Sequence, residues 1–221
     1  MAGFEHRWEP PGDERSPVLL ALHGTGGSEH DLVGVAQALL PGAGVLAPRG
    51  QVLEGDGIPR FFTRIPTGQP GAYPFTFDPD EVAARADELL GFVAEHLEEK
   101  GLSDRMLAVT GFSNGANMAA ALLMLHPGVV RAATLFAPMP VLDEPPRHDL
   151  AHTAVWLAGG RQDPIATPEQ VERLAGQLAE RGAAVDVYFH EGGHEVTVEA
   201  VRAGAQWMTK VQAATGGADL P

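Results

Sequence analysis

The chain has 221 residues, 44% hydrophobic and 20% charged, which is the balance of a folded domain rather than a disordered segment. Its formal charge of −14 repels nucleic acid and anionic membrane surfaces, so neither is an expected partner. Cysteine is absent, which excludes disulfides, thiolate metal sites and a cysteine nucleophile.

The length fits one domain over 1–221. The first eleven residues contain Glu5, His6, Arg7 and Glu9 and lack the apolar core of a signal peptide. The longest apolar stretches, 18–22 and 118–125, fall far short of the ~20 residues that cross a bilayer. A cytoplasmic location without membrane insertion is the expectation.

In chain order, residues 4–10 suit an antiparallel edge strand. Residues 18–23 (VLLALH) form a continuous apolar run, as in a strand buried on both faces. A helix is expected over 29–40, then a short strand over 44–47 that Pro48 stops. Residues 51–77 show no periodic pattern and are rich in Gly and Pro, and an irregular loop of that length is usually functional. A helix over 80–99 places Val82, Ala86, Leu89, Leu90, Val93 and Leu97 on one stripe, behind a first turn of Asp78-Pro79-Asp80-Glu81.

Strands follow over 106–111, 132–136, 154–158 and 184–189. Between them lie a helix over 114–125, apolar almost all round and therefore buried, and one over 167–181. The latter opens with Thr167-Pro168-Glu169-Gln170, the pattern of a capping box. A last helix covers 195–212, and 213–221 reads as a frayed tail. Apolar runs alternating with helical patterns predict an α/β fold with a mainly parallel sheet. The 137–153 connection is too short for a cap domain.

Gly111-Phe112-Ser113-Asn114-Gly115 carries the strongest chemical signal. It joins an apolar strand to an apolar helix, which is the setting of a nucleophile elbow. The turn is tight, so the positions two before and two after the serine must be small. A serine nucleophile needs a base, and the base needs an orienting acid. His194, in Glu191-Gly192-Gly193-His194-Glu195 after the last strand, is the candidate base. His190 is its nearest rival, at the strand end where packing is the plainer role. Asp163, in Gly159-Gly160-Arg161-Gln162-Asp163-Pro164, is the candidate acid, ahead of Asp149 and Asp186.

Oxyanion donors are expected at the backbone N–H of Asn114 and of Thr25, the latter in His23-Gly24-Thr25-Gly26-Gly27. His23 reads as a residue that orients this loop. The loop lacks the lysine and spacing of a phosphate-binding P-loop. Arg60, Phe61, Phe62 and Arg64 are candidates to line an acyl or aromatic pocket and bind an anionic group, or else to pin the loop to the core. Met139 is a candidate for the same wall. His148 and His152 stand four apart near Pro145-Pro146 with no evident third ligand, so no metal site is expected.

With these motifs the chain resembles the alpha/beta-hydrolase superfamily, and within it the small phospholipase/carboxylesterase family. His23-Gly24-Thr25-Gly26-Gly27, Pro48-Arg49-Gly50, Gly111-Phe112-Ser113-Asn114-Gly115, Gly160-Arg161-Gln162-Asp163-Pro164 and Gly192-Gly193-His194 carry the likeness, from about Ser16 to Lys210. His-Gly-Thr-Gly-Gly paired with Arg60-Phe61-Phe62 most resembles a bacterial subgroup associated with quinone or metal stress. The resemblance implies a three-layer α/β-hydrolase sandwich without a cap, and a Ser113–His194–Asp163 esterase needing no cofactor. It further implies small to medium carboxylic esters as small-molecule substrates, an open cleft and the homodimer that members of the family often form. Asn114-Gly115 and Thr25-Gly26 replace the Gln-Gly and Leu-Gly usual in the family's carboxylesterases and acyl-protein thioesterases. A thioesterase or lysophospholipase acting on longer acyl chains, and a non-catalytic ligand-binding protein, are the alternatives.

Overall fold

The computed structural model describes residues 3–55, 57–68 and 75–215. Its elements begin with β1 (His6–Glu9), β2 (Val18–Leu22), α1 (Val33–Leu39) and β3 (Gly44–Pro48). Four short strands follow: β4 (Val52–Glu54), β5 (Ile58–Arg60), β6 (Ile65–Pro66) and β7 (Phe75–Thr76). The rest are α2 (Pro79–Glu99), β8 (Leu107–Phe112), α3 (Asn114–Leu125), β9 (Val130–Phe136), β10 (Ala154–Gly160), α4 (Pro168–Ala179), β11 (Ala184–His190) and α5 (Val198–Thr215).

Seven strands make the central sheet in the order β1-β3-β2-β8-β9-β10-β11. Only β1 runs antiparallel, pairing Trp8 with Leu46 of β3. Every other pairing is parallel. The pleat sends Val18, Leu20 and Leu22 to the face covered by α2, α3 and α4, and Leu19 and Ala21 to the face covered by α1 and α5. Both faces are therefore buried, which is why β2 reads as an unbroken apolar run.

Helix ends show which local forces won. Asp78 caps α2 by accepting from the N–H groups of Asp80 and Glu81, with Pro79 in the first turn. Thr167 stands at the cap of α4, but its hydroxyl makes no capping bond, so the expected capping box is not formed. The helix expected from residue 29 starts only at Val33. Ser28 Oγ donates to Asp31 Oδ1, and the Glu29 carboxylate is held by Arg49, so local polar bonds take the first turn. At α5 the Thr197 hydroxyl accepts from the Ala200 N–H and moves the start to Val198. This helix also runs to Thr215, into the stretch read as a tail, and residues 216–221 lie outside the described residues.

The 51–77 segment is more ordered than its sequence suggests. It contains two small antiparallel pairs, β4 with β5 and β6 with β7. Each strand has only two or three residues, too few for a period to register. Residues 56 and 69–74 of this loop lie outside the described residues. No helix among the described residues is long and apolar enough to cross a membrane.

Two buried histidines titrate below the ordinary value. Burial holds His23 down, and burial with the neighbouring His6 and Lys100 charges holds His96 down, against a smaller opposing effect of Glu99. His96 packs among the rings of His6, Trp8 and Phe92. Below the unfolded value of ~6.5 the unfolded chain takes up protons that these folded sites refuse. Stability is therefore full above that value and falls as pH drops below it. The urea midpoint is expected to fall between about pH 7.5 and about pH 5.5, and His96→Leu to shrink that fall. An equal fall in the variant would remove His96 from the account.

Candidate active site

Ser113 occupies the turn between β8 and α3 with φ 52° and ψ −116°. A left-handed backbone costs a non-glycine residue roughly 1–3 kcal/mol, so the surroundings must enforce it. They do so by close approach. A Cβ on Gly115 would sit 2.0 Å from the Leu22 carbonyl oxygen, and one on Gly111 would sit 2.6 Å from the Gly115 carbonyl. The Ser113 N–H donates to the Phe136 carbonyl of β9 at 2.9 Å, and its carbonyl accepts from Asn117 at 2.9 Å. The hydroxyl is thereby carried past the carboxyl end of the sheet.

His194 and Asp163 come from the loops after β11 and β10, which are parallel neighbours in register up to Gly160 and His190. The pairing continues past the strands. Arg161 N–H donates to the His190 carbonyl at 2.8 Å, and Gln162 N–H to that of Gly192 at 3.0 Å. A Cβ on Gly160 would lie 2.2 Å from the Gly193 carbonyl oxygen, so only glycine lets the two loops meet. His190 holds this turn by accepting the Gly192 N–H at its Nδ1. It is not part of the chain that reaches Ser113.

His194 Nε2 lies 2.9 Å from Ser113 Oγ, and Nδ1 lies 2.7 Å from Asp163 Oδ2. The other Asp163 oxygen accepts from the N–H groups of Ile165 and Ala166 at 2.7 and 3.0 Å. Burial raises the Asp163 carboxyl, but the hydrogen bond and charge of His194 and the two backbone donors outweigh it, and the net position is below the usual carboxylate range. An ionised carboxylate can only accept, so Nδ1 carries the imidazole proton and Nε2 is left to accept from the serine hydroxyl. Phe112 flanks the His194 ring at 5.1 Å.

The 23–27 loop stands opposite. His23 Nδ1 donates to the Gly24 carbonyl, and Nε2 accepts from Gly50 N–H at 2.9 Å, so this histidine is neutral and fixes the loop to the Pro48-Arg49-Gly50 turn. Gly26 adopts φ +77°, which favours glycine. Thr25 and Asn114 both face a cleft of about 230 Å³. Ser113, His194, Arg64, Met139 and the rings of Phe75, Phe77 and Phe112 share its wall with Asn117 and Ile165.

Met139 lines the cleft, whereas Arg60, Phe61 and Phe62 are not among the residues of its wall. All three are buried, at 2%, 3% and 0% exposure, with both rings in the hydrophobic core. Phe62 packs edge-on against Phe77, and Arg64 lies against the ring of Phe75. The sequence reading missed Asn117, whose Oδ1 accepts the Met139 N–H at 2.9 Å. Its signal was available, as an amide one helical turn beyond Ser113 in a helix that is apolar apart from Asn114.

A family model described as serine hydrolase (FSH1) matches residues 64–200. The chain belongs to the serine hydrolase (FSH1) family. MhqD of Bacillus subtilis (strain 168) is 37% identical over 190 residues, covering 86% of this chain and 91% of that protein. Among solved structures, the Bacillus cereus carboxylesterase superposes with a TM-score of 0.87 at 35% identity over 95% of each chain. A carboxylesterase from Mesorhizobium loti gives 0.82 at 34% identity over 93% of this chain and 94% of its own. YahD, solved with malic acid, gives 0.84 at 28% identity over 94% and 99%. For this serine hydrolase the fold is thus the α/β-hydrolase sandwich with a mainly parallel sheet.

The tight turn around Ser113 makes a sharp prediction. Gly115→Ala is expected to cost about 3 kcal/mol or more, because its methyl group meets backbone that no rotamer change can clear. Chemical denaturation checks it, and a loss under about 0.5 kcal/mol would show that the turn is not as tight as these distances require.

Proposed function

We propose that the protein is a carboxylesterase that cleaves small carboxylic esters through an acyl-enzyme on Ser113. The observation that carries this reading is the unbroken hydrogen-bonded chain from Asp163 through His194 to Ser113, opening on a cleft. Ser113 Oγ attacks the ester carbonyl carbon while its proton passes to His194 Nε2. Asp163, held ionised, balances the imidazolium and keeps its proton on the correct nitrogen. The carbonyl oxygen becomes an oxyanion facing the backbone N–H groups of Thr25 and Asn114, each worth about 3–4 kcal/mol in comparable sites. Collapse expels the alcohol, which takes the proton from Nε2. Water then repeats the sequence and releases the acid.

The cleft selects the substrate. Its volume of about 230 Å³ lies below the roughly 300–1,000 Å³ of sites for drug-sized ligands, which supports a short acyl group over a long fatty chain. Phe75, Phe77, Met139 and Ile165 supply apolar walls, and Arg64 supplies a cation. A carboxylate on the substrate suits that cation. YahD, the relative solved with malic acid, accords with an acidic substrate.

Hydrolysis of p-nitrophenyl esters is expected to peak at the short end of a series from about two to about twelve acyl carbons, and to fall roughly 10⁴-fold or more in Ser113→Ala. Monoethyl succinate should be preferred to ethyl butyrate, and Arg64→Met should erase that preference. An optimum at long chains would favour the thioesterase or lysophospholipase reading. Hydrolysis that survives loss of the Ser113 hydroxyl would contradict the mechanism.

A further inference from the structure

The mechanism asks two backbone N–H groups from distant parts of the chain to meet one developing charge. Thr25 lies in a glycine-rich loop with no regular structure, and Asn114 opens α3. Donors of this kind act only when held about 2.7–3.1 Å from the oxyanion before the reaction begins. Something must therefore fix the 24–26 loop relative to the helix.

We propose that the segment Pro59-Arg60-Phe61 is a buried clamp that sets the oxyanion hole, with Arg60 the positioning residue for Thr25. This rests on the esterase reading above. Three bonds carry it. The Pro59 carbonyl accepts the Gly26 N–H at 2.9 Å. Arg60 Nη1 donates to Thr25 Oγ1 at 2.9 Å. The Phe61 N–H donates to Asn114 Oδ1 at 2.8 Å. Three consecutive residues thus grip both donor-bearing residues, or their neighbour, across sequence separations of 35 and 53.

The clamp is itself anchored. The Arg60 carbonyl presses on Gly50 so closely that a Cβ there would lie 2.3 Å from its oxygen. The Gly50 N–H in turn binds His23 Nε2, and the Phe61 ring lies 4.9 Å from the His23 ring. Arg60 is only 2% exposed. Burial locks the guanidinium in one position beside a loop residue that faces the cleft, which suits it to a positioning task. A hydrogen bond from an ionised donor is also stronger than a neutral one, which suits it to restrain a glycine loop.

The direct test is phosphonylation of Ser113 by a fluorophosphonate. Ser113 Oγ forms a bond to phosphorus, fluoride leaves, the serine proton passes to His194, and the phosphoryl oxygen occupies the oxyanion position. Thr25→Val removes the hydroxyl that Arg60 binds and keeps the backbone N–H. It is expected to slow phosphonylation about tenfold and lower kcat on a short ester by the same factor, with KM unchanged and the thermal midpoint lowered, because the buried Arg60 guanidinium loses an acceptor. Arg60→Met should cause at least that loss, Arg60→Lys should recover part of it, and Arg60→Met combined with Thr25→Val should fall short of the product of the two losses, because the Arg60–Thr25 bond is cut in both. If Arg60→Met does not fold, Thr25→Val alone decides. Phosphonylation of Thr25→Val at the wild-type rate, or losses in the two variants that multiply, would overturn the clamp while leaving the esterase reading in place. A wild-type protein that is not phosphonylated at Ser113 would overturn the esterase reading and the clamp with it.

Discussion

The close approach of the α3 N-terminus to the end of β2 governs this structure. Gly115 lies against the carbonyls of Leu22 and His23 with no room for a side chain. That contact forces the chain to leave β8 through a left-handed Ser113 and to enter α3 at once. It also brings the 23–27 loop, which continues from the same strand, beside the N-terminus of the helix. Ser113, Asn114 and Thr25 meet on one cleft because two glycines allow two backbones to touch. The strain at Ser113, roughly 1–3 kcal/mol, is small beside the burial of α3, where a single fully buried leucine contributes about 1.5–3 kcal/mol. Residues 114–124 of that helix are all buried.

The parallel pairing of β10 with β11 supplies the rest of the site. Strands in register to Gly160 and His190 deliver Asp163 and His194 to the same edge, and glycine contacts let their loops interlock. The electrostatics follow from that geometry. A carboxylate that accepts from two backbone donors and one imidazole stays ionised in spite of burial, and an imidazole so held presents Nε2 to the serine. The sheet thus sets which atoms meet, and the charge on Asp163 sets which nitrogen holds the proton.

Much of this was legible in the sequence, because the strands are continuous apolar runs and the site residues sit in glycine-rich turns with few alternative readings. Gly111-Phe112-Ser113-Asn114-Gly115 and Gly192-Gly193-His194 name their own positions. The segment Arg60-Phe61-Phe62 was not legible in the same way. Two phenylalanines and an arginine in a Gly- and Pro-rich loop fit a pocket wall as well as a buried anchor. The choice is made by hydrogen bonds to Thr25 and Asn114, far away in the chain, which no local pattern encodes. The start of α1 was lost for a related reason, since the Glu29 side chain that favours a helical turn is taken by Arg49, twenty residues on. Phe75 and Phe77, which do line the cleft, belong to a stretch whose strands are too short to show a period.

The central claim is that Ser113 is acylated during turnover. Rapid acid quenching during hydrolysis of p-nitrophenyl acetate, followed by peptide mass analysis, reads this directly. An acetyl group is expected on the peptide that contains Ser113, appearing with the first burst of p-nitrophenolate and absent in His194→Ala. Steady hydrolysis with that peptide unmodified, or with the acetyl group on another residue, would contradict it.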